Sequence, residues 1–76
     1  MTPARTLDTK GLKCPLPVLK ARRAMKELAA GEVLEVLATD PGSVKDFAAF
    51  CETTGDALLE SRQEGEVYLF RIRKRG

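Results

Sequence analysis

Two side chains in this sequence, Cys14 and Cys51, carry thiols, and only Cys14 stands in a context that changes its reactivity. The run Lys13-Cys14-Pro15-Leu16-Pro17 places that thiol where a loop enters a helix. Unpaired N–H groups and the positive end of the helix dipole favour thiolate there. Cysteines at such sites fall from a pKa of about 8.5 to between about 3.5 and 7.5. Thiolate is the nucleophilic form, and the same setting favours a persulfide anion. Lys10 and Lys13 add charge of the same sign. Pro15 and Pro17 fix the backbone at the helix entry and keep further helical turns from covering the thiol, so the expectation is a presented thiol. A free cysteine is more commonly a small buried hydrophobe, but Lys13 and Pro15 suit a core poorly.

Cys51 reads differently. It recurs at helical spacing with Val44, Phe47 and Ala48, which predicts a quiet core residue. Cys14 has no second thiol two or three residues on, which argues against dithiol redox catalysis. With no histidine and two cysteines, the chain lacks the ligands of a closed zinc site. No metal and no cofactor are expected.

The elements that must position these residues follow from periodicity. Thr6 to Lys10, around Leu7, predicts a short strand. From Pro15 to Ala30 there is no glycine, Val18, Ala21, Met25 and Leu28 recur at helical spacing, and Gly31 follows as a stop. Pro17 is tolerated in the first turn, where backbone N–H groups have no intrahelical partner. Glu32 to Thr39 is a Val/Leu-rich run bounded by Gly31 and Asp40-Pro41-Gly42, and predicts a central strand. Asp40 is the expected cap of a second helix, with Pro41 preset for its first position and Gly55 ending it. Ala57 to Glu64 and Glu66 to Lys74 predict a hairpin through Gly65, with Tyr68, Phe70 and Ile72 alternating on one face. The order βαβαββ packs as an α/β (α+β) two-layer sandwich, two helices on one face of a four-stranded mixed sheet.

Length and composition agree with one domain over residues 1–76. The chain has 76 residues, 43% hydrophobic and 32% charged, a balance that opposes both disorder and membrane insertion. No apolar run approaches the roughly 20 residues of a membrane span, and none near the N-terminus could serve as a signal-peptide core. A cytoplasmic protein with free thiols is the expectation. The net charge of +2 hides a polarised chain: +5 over residues 1–30, −7 over 31–66 and +4 over the last ten. Such a pattern can steer a charged partner, though it also serves as ordinary solvated charge.

The chain resembles the TusA-like (SirA-like) sulfur carrier family, whose hallmark is Cys-Pro-x-Pro at the start of the first helix. The resemblance rests on Leu7-Asp8, Gly11-Leu12, Cys14-Pro15-Leu16-Pro17-Val18, Gly31-Glu32-Val33-Leu34, Thr39-Asp40-Pro41, Asp46, Phe50-Cys51, Gly55 and Ile72-Arg73-Lys74. It implies a two-layer sandwich also seen in the C-terminal domain of translation initiation factor three. It further implies that Cys14 accepts sulfane sulfur as a persulfide from a cysteine desulfurase or rhodanese-type donor. The acceptor would be a second protein serving tRNA thiolation, cofactor biosynthesis or sulfur oxidation. Such a chain is a carrier within sulfurtransferase relays rather than a free-standing enzyme, a monomer when free and unattached to membrane. Basic residues on helix one, here Arg22, Arg23 and Lys26, are the positions the resemblance offers for partner binding, and at 3.6 residues per turn they share one side. One departure lies at Gly55-Asp56, where the family often carries a histidine. No acid–base role carries over to that position.

A nucleic-acid-binding module would draw on basic helix one and on Arg71, Arg73, Lys74 and Arg75. Aromatic residues make up only 5% of the chain, and Tyr68 alternates with core positions, so no stacking platform is visible. A regulatory interaction module without chemistry would leave Cys14 and its prolines unexplained.

Overall fold

Residues 2–76 are described by the computed structural model, and along them the predicted order of elements holds. The elements are β1 (Arg5–Thr9), α1 (Leu16–Lys26), β2 (Val33–Ala38), α2 (Ser43–Thr54), β3 (Ala57–Glu64) and β4 (Val67–Arg73). The sheet order is β1-β2-β4-β3, with β1 parallel to β2 and the other two pairings antiparallel. Helix α1 packs on β1 and β2, α2 packs on β3 and β4, and the helices touch each other. This is the mixed two-layer sandwich, with β2 internal as expected.

The core fills the space between helices and sheet. Leu34, Val36 and Ala38 of β2 and Phe70 and Ile72 of β4 meet Ala21, Ala24 and Met25 of α1 and Phe47, Phe50 and Cys51 of α2. Phe47 and Phe70 stack with centroids 4.5 Å apart, and Phe50 meets Phe47 edge-on at 6.5 Å. Each such fully buried large side chain contributes roughly 1.5–3 kcal/mol relative to exposure. The opposite face of the sheet carries charge: Arg71 reaches Glu35 at 2.9 Å and Glu60 at 3.5 Å.

Three expectations need correction. Helix α1 stops at Lys26 rather than Ala30. The N–H of Glu27 turns back to the carbonyl of Ala24 and that of Leu28 to Met25, tightening the chain out of the helix so that Leu28 can fold onto the core. Gly31, at φ +86°, instead serves the following turn, where its N–H bonds to the carbonyl of Lys74 at 2.9 Å. Helix α2 turns Ser43, Phe47, Phe50 and Cys51 inward, while Val44 and Ala48 are exposed. With Phe50 inward its ring meets Phe47 edge-on, and that contact goes with the roll of the helix. Asp40 does not cap α2: Gly42 occupies the N-cap without a side-chain bond, and the Asp40 carboxylate is engaged elsewhere.

Candidate functional site

The β1–α1 and β2–α2 connections lie side by side at one end of the molecule, because β1 and β2 are parallel neighbours and their C-terminal ends point the same way. Two hydrogen bonds stitch them together. The N–H of Gly11 donates to the hydroxyl of Thr39 at 2.9 Å, and the N–H of Cys14 donates to Asp40 Oδ2 at 2.6 Å. That second bond is where the expected capping residue goes. It holds the backbone of Cys14 against the start of α2, with the charge-assisted strength of a carboxylate acceptor.

Cys14 is exposed and precedes Pro15, the N-cap residue of α1. Pro17 is fully buried and anchors the first turn of α1 in the core. Its role here is therefore anchoring as much as exclusion of extra helical turns. Gly42 provides clearance on the other side: a Cβ there would lie 3.4 Å from Cys14 Cβ and 3.7 Å from Sγ. Gly42 has an ordinary helical φ of −63°, so space rather than backbone freedom is what a side chain would remove.

The thiol itself donates a hydrogen bond to Asp46 in the first turn of α2. This reverses the expected electrostatics. The bond to Asp46 pushes the Cys14 pKa up, as do desolvation and the charges of Asp46 and Asp40. Sγ is turned to the start of α2, where Asp46 in the first turn accepts from it and Asp40 stands in the connection just before the helix. Lys10 and Lys13 are both exposed, and the charges that move the thiol are those of the two acids. Asp46 was not assigned a role from sequence. An acidic residue in the first turn of a helix ordinarily answers that helix's own dipole.

A groove of about 300 Å³ opens from Cys14 between the two helices, lined by Pro15, Val18 and Arg22 on the α1 side and Asp46, Phe50 and Thr53 on the α2 side. A family model described as Sulfurtransferase TusA matches residues 5–74. The chain belongs to the TusA family. It is 53% identical over 68 residues to the sulfur carrier protein TusA of Allochromatium vinosum, covering 90% of each chain. It is also 47% identical over 70 residues to the sulfur carrier protein TusA of Pseudomonas entomophila, covering 92% of this chain and 88% of that one. Among solved structures it resembles the SirA-like protein from Desulfitobacterium hafniense, with a TM-score of 0.83 and 30% identity over 95% of this chain and 99% of that one.

In this TusA-family chain the three basic residues expected on α1 divide. Arg22 lines the Cys14 groove, with its guanidinium 6.0 Å from the Phe50 ring centroid. Lys26 lies one turn on, in an adjoining hollow with Met25, Phe50 and Asp56. Arg23 lines an outer hollow beside Leu16 and Leu19, which are 45% and 50% exposed, and Arg22 and Lys26 border that hollow as well. All three are exposed, and among the described residues no acidic side chain pairs with them. The exposed leucines were not singled out from sequence, where Leu16 reads only as part of the proline motif.

Cys51 is buried among the core residues, as expected, and burial together with the nearby charge of Asp56 pushes its thiol up to about 11. The basic C-terminal segment is partly engaged. Arg71 pairs with Glu35, Lys74 Nζ donates to the carbonyl of Leu28 at 2.7 Å, and the N–H of Arg75 donates to Asp56. Tyr68 is half-buried against the core. Among the described residues there is no helix long and apolar enough to cross a membrane, and no cluster of three or more potential metal ligands.

Proposed function

We propose that the chain is a single-domain sulfur carrier in which Cys14 holds sulfane sulfur as a persulfide between a protein donor and a protein acceptor. The observation that carries this reading is the disposition of the two thiols: Cys14 is exposed at the mouth of an open groove, while Cys51 is buried. One thiol is within reach of a partner. In the loading step the Cys14 sulfur attacks the outer sulfur of the donor's persulfide. A Cys14–S bond forms, the donor's S–S bond breaks, and the donor cysteine leaves as a thiol with the proton that Cys14 gave up. No net oxidant is required. The groove is open and encloses nothing, as suits a carrier that presents one atom to two partners.

A cysteine desulfurase or a rhodanese-type protein is the proposed donor, in the cytoplasm, where thiols stay reduced. Arg22, Arg23 and Lys26, with Leu16 and Leu19 beside them, form the proposed contact surface. Its apolar centre and basic rim suit a partner with an acidic rim. Lys10 and Lys13 precede the thiol on its own β1–α1 connection and lend positive charge to the approach.

Intact-mass measurement after incubation with a cysteine desulfurase and cysteine tests the assignment. The wild type and Cys51→Ser should each gain one sulfur atom, removable by dithiothreitol, and Cys14→Ser should gain none. Loading on Cys51 with Cys14 bare would overturn the reading.

A further inference from the structure

The loading step above uses Cys14 and leaves unexplained why a carboxylate should face its thiol. Asp46 stands in the first turn of α2, where its carboxylate lines the groove and accepts a hydrogen bond from the Cys14 thiol. Asp40 Oδ2 is engaged instead by the Cys14 backbone N–H. From α1 the groove receives Arg22, while Lys10 and Lys13 are exposed on the β1–α1 connection and do not line it.

We infer that Asp46 is a positioning residue that distinguishes the empty carrier from the loaded one, holding the empty thiol against α2 and turning the loaded persulfide outward. The inference rests on the persulfide reading of Cys14. An empty thiol is a hydrogen-bond donor, and a carboxylate is an acceptor only, so the two match. A persulfide is more acidic than its parent thiol and gives up its proton to solvent after transfer. The resulting anion has no proton to donate and meets two carboxylates, Asp46 and Asp40. Like charges repel, and the anion turns away from α2 toward the side of the groove lined by Arg22. The empty thiol is thereby kept protonated and slow toward stray electrophiles, and the sulfur atom to be transferred is displayed. The raised pKa of Cys14 agrees with the first half of this device.

Alkylation by iodoacetamide tests both halves on the full chain, read at the Cys14 peptide by mass spectrometry across a pH series, with circular dichroism as the control for fold. In the empty state Asp46→Asn should move the alkylation midpoint to lower pH and react severalfold faster at neutral pH. Asp46→Glu, which restores the charge one methylene further out, should move the midpoint back toward the wild type. Asp40→Asn should move it less than Asp46→Asn, because Asp40 acts on the thiol by charge alone. In the loaded state the profiles of wild type and Asp46→Asn should lie much closer together than in the empty state. Coincident empty-state profiles would overturn the inference, and so would a loaded-state difference as large as the empty one. Failure of wild-type Cys14 to take up sulfur would instead overturn the carrier reading, and the loaded-state half with it. The empty-state comparison needs no loading, which keeps the two failures apart.

Discussion

Replacing Cys51 by alanine separates the structural thiol from the reactive one, and its effect can be worked out across pH. Near neutrality the substitution removes one buried sulfur from the contact with Phe47 and Phe50 on α2, at a cost of about 1 kcal/mol. Above pH 9 that difference shrinks. Unfolded Cys51 ionises near its ordinary value of 9.0, whereas in the fold burial and Asp56 push it up to about 11. Between those values the folded state holds a proton that the unfolded chain has released, so wild-type stability falls as pH rises. The protonated thiol's contribution is complete below pH 9, shrinks by about 1 kcal/mol at pH 10 and by about 2 kcal/mol at pH 11. Cys51→Ala has no proton to lose there. The two proteins should therefore cross near pH 10, with the variant the more stable at pH 11. Urea melts at pH 8, 9, 10 and 11 on both proteins measure this. Every other group is the same in both proteins, so its effect cancels in the difference. A constant difference from pH 8 to 11 would refute the reasoning, because it would mean that Cys51 ionises in the fold as it does in the unfolded chain. Sulfur loading at pH 7.5 should be unchanged in the variant.

The triple change of Arg22, Arg23 and Lys26 to glutamate should slow sulfur loading from a desulfurase while leaving circular dichroism unchanged. Added salt should slow the wild type in the same way, since rim charges act mainly on association rate; identical rates and salt slopes would remove this patch from partner recognition. Gly42→Val should slow loading with the fold retained, because its side chain would grow from a Cβ already 3.4 Å from that of Cys14. Normal loading kinetics in a folded Gly42→Val protein would show that the thiol approaches its donor from another direction.

What could be read from sequence, and what could not, divides by the range of the forces involved. The six elements, the hairpin at Gly65 and the inward Phe70 and Ile72 follow from periodicity and turn chemistry, which are local. So does the position of Cys14 at the entry to α1. The direction of its thiol is not local: it is fixed by Asp40 and Asp46, 26 and 32 residues away, and these meet Cys14 only because β1 and β2 pair in parallel. Reading the helix dipole without those carboxylates gives the wrong sign for the pKa. The roll of α2 is likewise tertiary, since Phe50 rather than Val44 turns inward to meet the Phe47 ring, which is itself stacked on Phe70 of β4. Asp40 shows the same competition at one residue, because its spacing before a helix suits a cap, yet the backbone N–H of Cys14 claims its carboxylate.

The uneven charge along the chain acquires a spatial meaning once the helices are side by side. The basic first third contains α1 and the acidic middle contains α2, and the groove from Cys14 has Arg22 on its α1 wall and Asp46 on its α2 wall. A single thiol placed there feels carboxylates from one wall and offers partners the guanidinium of Arg22 on the other. These two fields have different tasks. Asp46 acts over hydrogen-bond distance on the sulfur and Asp40 by its nearby charge, and together they set which form it takes, whereas the exposed bases of α1 act over roughly the 8–10 Å Debye length on whatever approaches. Salt should therefore weaken partner approach well before it alters the thiol, and the two contributions can be measured separately on the same protein.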